Sequence, residues 1–317
     1  MRDELPGMVA LGAIFALSIM AGMALSELYG PEYQAFGPDT GNPTNALEYI
    51  VLILGFTAGI LLAVKMGGQR MIKFVFLGIT GLTVWFVLVP VVALSGSAPL
   101  ALLLPLAVGA VFVAALYYYP EWWVIDSAGV LMSVGLTAIL GISFGPIPAL
   151  LLLVALAVYD AIAVYKTKHM IDLADTVMSE SLPIMFVIPK HSGYSFLKKE
   201  KTLKEQIASG EERDALFMGL GDVIIPGALV VSAYKFLRIP EGAEGFPGGT
   251  PDFFGVPGNV AVAIITLAGG LIGYALLMRA VLRGNPQAGL PLLNGGTVAA
   301  FLLAVFAVFG TLAVISF

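Results

Sequence analysis

Two aspartates stand where a carboxylate is costly. Asp160 lies in LAVYDAIAVY and Asp222 in FMGLGDVIIPG, both otherwise apolar stretches. An ionisable side chain inside a membrane segment costs about 2.5–3.5 kcal/mol on insertion scales, so each needs a reason. Nearly all of the other acidic residues fall in loops or at span ends, and Asp126, Glu27 and Glu48 read as interfacial and solvated. Two buried carboxyls in contact cannot both ionise cheaply, so the pair holds one shared proton. The ionised member can then take a proton from water while the protonated member polarises a carbonyl. Such a pair hydrolyses a peptide bond through a tetrahedral diol, with no acyl-enzyme.

Other chemistries lack their residues. There is no cysteine, which removes disulfides, thiolate metal sites and cysteine nucleophiles. The two histidines, His169 and His191, both fall in a polar loop, so a Ser–His dyad at membrane depth has no base. No HExxH occurs, and neither a metal site nor a cofactor is expected.

The elements that must carry the aspartates are apolar helices. The 317 residues are 59% hydrophobic and 12% charged, with mean hydropathy +0.95. A soluble domain carries about 25% charged residues. The chain therefore reads as an all-α, polytopic membrane protein whose partner is the lipid bilayer, with no nucleic-acid partner. Strict period-2 alternation is absent and the apolar runs approach 20 residues, which favours helices over an outer-membrane barrel. Nine spans are expected, near Met8–Leu28, Leu47–Val64, Met71–Leu94, Ala98–Tyr118, Val124–Ile142, Pro146–Tyr165, Ala215–Leu237, Val260–Arg279 and Ala288–Phe317. The first follows the acidic Asp3 and Glu4 and reads as a span, not as a cleaved signal peptide. Tyr117, Tyr118, Tyr119, Trp122 and Trp123 form an aromatic belt. The division is then helices 1–6 over residues 1–165, a polar loop over 166–214 and helices 7–9 over 215–317.

Charge fixes the expected orientation. With the N-terminus cytoplasmic, fourteen of the Lys and Arg residues fall on the inner side, and only Lys235 and Arg238 fall outside. The C-terminus is then outside a cell membrane, and the 166–214 loop is inside. Met170, Leu173, Val177 and Met178 suggest an amphipathic extension of helix 6. The segment PIMFVIP reads as a strand or a membrane-facing gate, and Leu197–Asp214 as solvated. Asp160 is five residues from the end of its span and Asp222 about seven from the start of the next. At about 1.5 Å per residue, both lie roughly 8–10 Å below the same surface.

The surroundings of Asp222 suit a working site. Gly219 and Gly221 strip side chains from the approach, and Pro226 removes the N–H that would bond the Asp222 carbonyl, so the helix is expected to loosen there. The last span opens QAGLPLLNGG, whose Pro291, Gly295 and Gly296 suit either close helix packing or a flexible segment that holds an extended peptide.

These residues resemble the motifs of the presenilin and signal peptide peptidase family of intramembrane aspartyl proteases. Tyr159-Asp160 resembles its YD motif. Gly219-Leu220-Gly221-Asp222 matches its GxGD motif, including the leucine typical of presenilins. The Pro-Ala-Leu motif is degenerate: Ala288-Gly289-Leu290 is one counterpart, and Leu290-Pro291-Leu292 is a second register. The resemblance spans the whole chain. It implies a presenilin-like fold and cleavage of transmembrane-helix peptide substrates. It also implies that Asp160 and Asp222 are catalytic, that Tyr159, Gly219, Leu220, Gly221, Ala288, Gly289 and Leu290 contact substrate, and that no obligate partner subunit is needed, as in microbial, archaeal homologues. The orientation is the presenilin sense. The rival reading is a proton- or cation-coupled transporter or channel, since paired intramembrane aspartates also serve as relays.

Overall fold

The computed structural model describes residues 4–316 except 67, 168–182, 192, 196–213, 243–245, 247 and 283–286. Nine α-helices occur among the described residues. They are α1 (Leu5–Ser26), α2 (Thr44–Lys65), α3 (Gln69–Ala93), α4 (Ala98–Tyr118), α5 (Trp122–Ser143), α6 (Pro146–Ile162), α7 (Gly221–Phe236), α8 (Gly258–Val281) and α9 (Gly289–Phe309). Seven are long and apolar enough to cross a membrane; α2 and α7 fall outside that set. Two antiparallel pairs add a little sheet to an otherwise helical chain: β1 (Met185–Pro189) with β2 (Ala215–Gly219), and β3 (Asp252–Phe253) with β4 (Val256–Pro257). The expected extension of α6 begins as a π-helical turn over Ala163–Thr167. Its apolar residues Met170–Met178 lie outside the described residues, as does most of Leu197–Asp214.

The chain forms two compact units. The first comprises Met1–Ile14, Ile53–Gly135 and Lys166–Leu220. Its core joins Leu77, Leu116, Val124, Ile125 and Ala128 to Val187 and Ala215 of the hairpin. Helices α3 and α4 cross at Gly81 and Gly109, where a Cβ on Gly109 would stand 2.7 Å from the Gly81 carbonyl oxygen. Close backbone approach of this kind is how helices associate where lipid supplies no hydrophobic drive.

The second unit comprises Phe15–Leu52, Leu136–Tyr165 and Gly221–Phe317. Phe15, Ile19, Phe144, Leu152, Leu153, Leu229 and Phe301 are fully buried there. Gly296 of α9 sits against Gly269 and Gly273 of α8, and Gly273 against the Leu292 carbonyl, so no larger residue fits this seam. Asn294 donates through Nδ2 to the Leu153 carbonyl at 2.8 Å, tying α9 to α6.

Four expectations are corrected. The seventh apolar segment does not begin as helix at Ala215. Residues 215–219 are strand β2, in register with β1 from Met185↔Gly219 to Pro189↔Ala215, and the helix starts at Gly221. Asp222 is thus the second helical residue, not one about seven residues into a span. The strand wins because PIMFVIP offers a partner backbone, and a bonded strand advances about 3.3 Å per residue against 1.5 Å in a helix. Second, α7 runs unbroken through Pro226. Third, α9 is a regular helix. Pro291 is its third residue, where the missing N–H has no intrahelical partner to lose. The helix ends at Gly310, whose φ of +70° favours glycine, and not at Phe317. Fourth, Asp126 is not solvated: it is buried, and its Oδ1 accepts from the Val187 N–H at 2.7 Å.

Candidate active site

Three elements of the second unit meet at Asp160 and Asp222. Asp160 sits near the end of α6, which opens with Pro146 and Pro148 and carries only apolar side chains until Tyr159. Asp160 is 7% exposed. Its Oδ2 accepts from the Leu290 N–H at 3.0 Å, and the Gly289 N–H is a second backbone donor to the same carboxyl. These N–H groups belong to the first turn of α9, which has no intrahelical acceptor for them. Ala288, the N-cap residue, uses no side chain to satisfy that turn, and the Asp160 carboxylate supplies the acceptor from another helix.

Asp222 enters from the opposite chain direction, in the first turn of α7. It is half-buried. A Cβ built on Gly289 would stand 3.1 Å from its Oδ1 and 3.4 Å from Oδ2. One glycine therefore touches both carboxylates: its N–H faces Asp160 and its bare Cα faces Asp222. Any side chain there would push into the gap. The first turn of α9 gives its N–H groups to Asp160, and Asp222 lies in the first turn of α7, two positions that accommodate negative charge.

Gly221 is exposed, and a Cβ there would meet nothing within 4 Å, so open space adjoins Asp222. Tyr159 is half-buried. Ala288 is buried, and its N–H donates to the Tyr165 hydroxyl at 3.4 Å. Gly219 ends β2. Leu220 follows it, buried, its N–H donating to the Ile184 carbonyl at 3.1 Å. Of the third-motif residues, Gly289 and Leu290 meet the carboxyls, and Leu290 is common to both registers. The Leu292 carbonyl is turned to Gly273 of α8.

Sequence reasoning missed Tyr165. Its hydroxyl donates to Gln287 Oε1 at 3.2 Å and accepts from Ala288, gripping the entry to α9. The signal was present, since Tyr165 closes the same VYDAIAVY run that holds Asp160. An apolar groove of about 520 Å³ also runs between α6 and α9, lined by Leu153, Ala157, Ala161, Pro291 and Val298. Ala157 and Ala161 belong to the same stretch of α6 as Asp160, and Pro291 follows Leu290 on α9.

The profile of the family described as "Signal-peptide peptidase, presenilin aspartyl protease" matches residues 10–310. Two solved structures are similar along nearly the whole chain. One, of a presenilin family intramembrane aspartate protease in space group C222, shares 31% identity, covers 95% of this chain and 99% of its own, and superposes with a TM-score of 0.65. The other, of a presenilin family intramembrane aspartate protease in space group P2, shares 31% identity over 92% of this chain and 96% of its own, with a TM-score of 0.61. No curated protein matches significantly. The chain belongs to the signal-peptide peptidase and presenilin aspartyl protease family, and is an integral, multi-pass membrane protein.

Proposed function

We propose that the protein is an intramembrane aspartyl endopeptidase in which Asp160 and Asp222 hydrolyse peptide bonds within transmembrane helices of other proteins. The observation that carries the reading is the shared turn at Gly289, which two carboxylates from different helices reach at once. Family membership supports the same activity. The pair holds one proton. Its ionised member abstracts a proton from water, which attacks the scissile carbonyl while the protonated member donates to the carbonyl oxygen. As the diol collapses, the newly protonated member gives its proton to the leaving nitrogen and the other takes one from a diol hydroxyl, which returns the pair to its starting state. The first turns of α7 and α9 stabilise the single negative charge at each stage.

The substrate must present an unwound bond. The α6–α9 groove is apolar, as a transmembrane segment requires, and the open space at Gly221 leaves room for backbone beside Asp222. Tyr159, Gly219, Leu220 and Ala288–Leu290 complete the substrate-contacting set. All nine helices span the bilayer, with α2 and α7 as the shorter members. The fourteen-to-two charge division supports a cytoplasmic N-terminus and 166–214 loop and an external C-terminus in the cell membrane. The chain acts without an obligate partner subunit. The comparisons give the transporter alternative no support.

The test is cleavage of a single-span reporter by the purified protein in lipid vesicles. Wild type cleaves, and Asp160→Ala and Asp222→Ala each abolish cleavage while retaining a cooperative thermal transition. Full proteolysis by either folded variant removes that residue from the mechanism. Asp-dependent ion flux without proteolysis reinstates the transporter.

A further inference from the structure

A third buried carboxylate, outside the proposed pair, faces the hairpin that runs into Asp222. The β1–β2 ladder bonds through alternate residues. Leu220 donates to the Ile184 carbonyl and Lys190 to the Asp214 carbonyl, so even-numbered residues of β1 face β2. The N–H of Val187 points to the other edge. There it meets α5, whose own backbone acceptors are spent within the helix. A buried strand N–H in that position needs a side-chain acceptor, and Asp126 Oδ1 provides it at 2.7 Å. Asp126 is 8% exposed and Val187 fully buried.

One turn further along α5, Gly129 receives the same hairpin. A Cβ there would stand 3.1 Å from both Leu220 Cδ2 and Phe186 Cε1. Val124, Ile125 and Ala128 pack against Val187 and Ala215. The first two turns of α5 are thus a seat for β1, β2 and Leu220, the residue two before Asp222. Apolar contact alone leaves a strand free to slide, whereas a buried hydrogen bond to one particular N–H fixes register.

We propose that Asp126 is a positioning residue for the proteolytic reaction: it locks the register of β1 and, through the pairing of β1 with β2, that of the strand which continues through Leu220 into Asp222. The inference rests on the reading of Asp222 as a member of the pair. It gives α5 a role that the YD and GxGD motifs do not record. It also explains why a carboxylate is kept in a helix where an apolar residue would insert more cheaply.

The test compares Asp126→Asn, Asp126→Leu and Val187→Pro in the full-length protein in vesicles, with two readouts. One is kcat and KM on the single-span reporter. The other is amide hydrogen exchange of the segment 184–190. Asn keeps an oxygen acceptor, so Asp126→Asn retains the wild-type exchange pattern and most of kcat. Leu removes the acceptor and Pro removes the donor. Each speeds exchange across 184–190 and lowers kcat by about 100-fold, the cost of a misplacement of about 1 Å, with KM nearly unchanged. The double variant Asp126→Leu/Val187→Pro is no worse than the poorer single, because both break one bond. Wild-type kcat in a folded Asp126→Leu or Val187→Pro variant overturns the proposal, as does an Asn variant as impaired as Leu. If Asp126→Leu does not fold, Val187→Pro decides. If wild type does not cleave, the protease reading fails. The exchange arm still decides whether Asp126 holds β1.

Discussion

Replacing Gly289 by alanine separates the stability of the site from its chemistry. Gly289 is the first residue of α9, and its backbone lies in the ordinary negative-φ region, so alanine meets no conformational penalty. Alanine in a helix is favoured over glycine by about 0.5–1 kcal/mol, so the fold is expected to gain or hold stability. The new methyl, however, stands 3.1 Å from Asp222 Oδ1 and 3.4 Å from Oδ2 and Cγ. That is tighter than ordinary contact, and the carboxylate must give by a few tenths of an ångström. Catalytic groups tolerate about 0.5 Å of displacement, and 1 Å costs about 100-fold, so the shift predicts a loss of roughly tenfold in kcat. Converted at 1.36 kcal/mol per decade, that is about 1.4 kcal/mol of transition-state stabilisation. The assay is initial-rate cleavage of a single-span reporter in vesicles, beside thermal unfolding of the same preparation. A variant of unchanged or higher Tm that cleaves about tenfold more slowly matches the geometry. Cleavage at the wild-type rate shows that Gly289 does not limit the space at Asp222, and refutes the reasoning.

Further outcomes follow from the same contacts. Gly221→Ala adds a methyl to open space beside Asp222, so Tm holds while KM for the reporter rises; an unchanged KM removes Gly221 from the substrate path. Tyr165→Phe loses the bonds to Gln287 and Ala288, and at about 0.5–1.5 kcal/mol for a net hydrogen bond the rate falls several-fold; no change shows that α9 is held without it. Tyr194 carries a pH signature. Burial first, then the nearby charges of Asp214 and Glu121, push its hydroxyl up from 10.0 to about 12. A raised folded value means stability that is complete below pH 10 and lost as pH rises toward 12. Tyr194→Phe therefore flattens the alkaline decline of Tm in that window, and an undiminished slope excludes this origin.

Much of this site was legible because charge is conspicuous in hydrocarbon. Asp160 and Asp222 stood out against apolar runs, and seven of the expected spans recur as long apolar helices. The hairpin was harder to read. ALFMG and MFVIP are five-residue apolar strings, and periodicity cannot assign such short strings to strand or helix; only their pairing, 30 positions apart in register, decides. That pairing moved the start of α7 to Gly221. Pro291 and Pro226 looked like breaks because a proline's effect depends on its place in the helix, and helix starts are not visible from composition. Asp126 was misread for a related reason. Its closeness to the Tyr117–Trp123 belt implied water, but the neighbour that buries it comes from a strand some 60 residues later. Glu27, also given to the interface, does stay exposed, paired with Lys235 and Arg238.

The most direct measurement is the pH dependence of kcat/KM for reporter cleavage in vesicles, taken for wild type, Asp160→Asn and Asp222→Asn. A pair that works with one proton between its members gives a bell with an acid and an alkaline limb in wild type, and no cleavage at any pH in either variant. A wild-type rate that is flat or changes in one direction only, or an Asn variant that still cleaves, contradicts the shared-proton pair at Asp160 and Asp222.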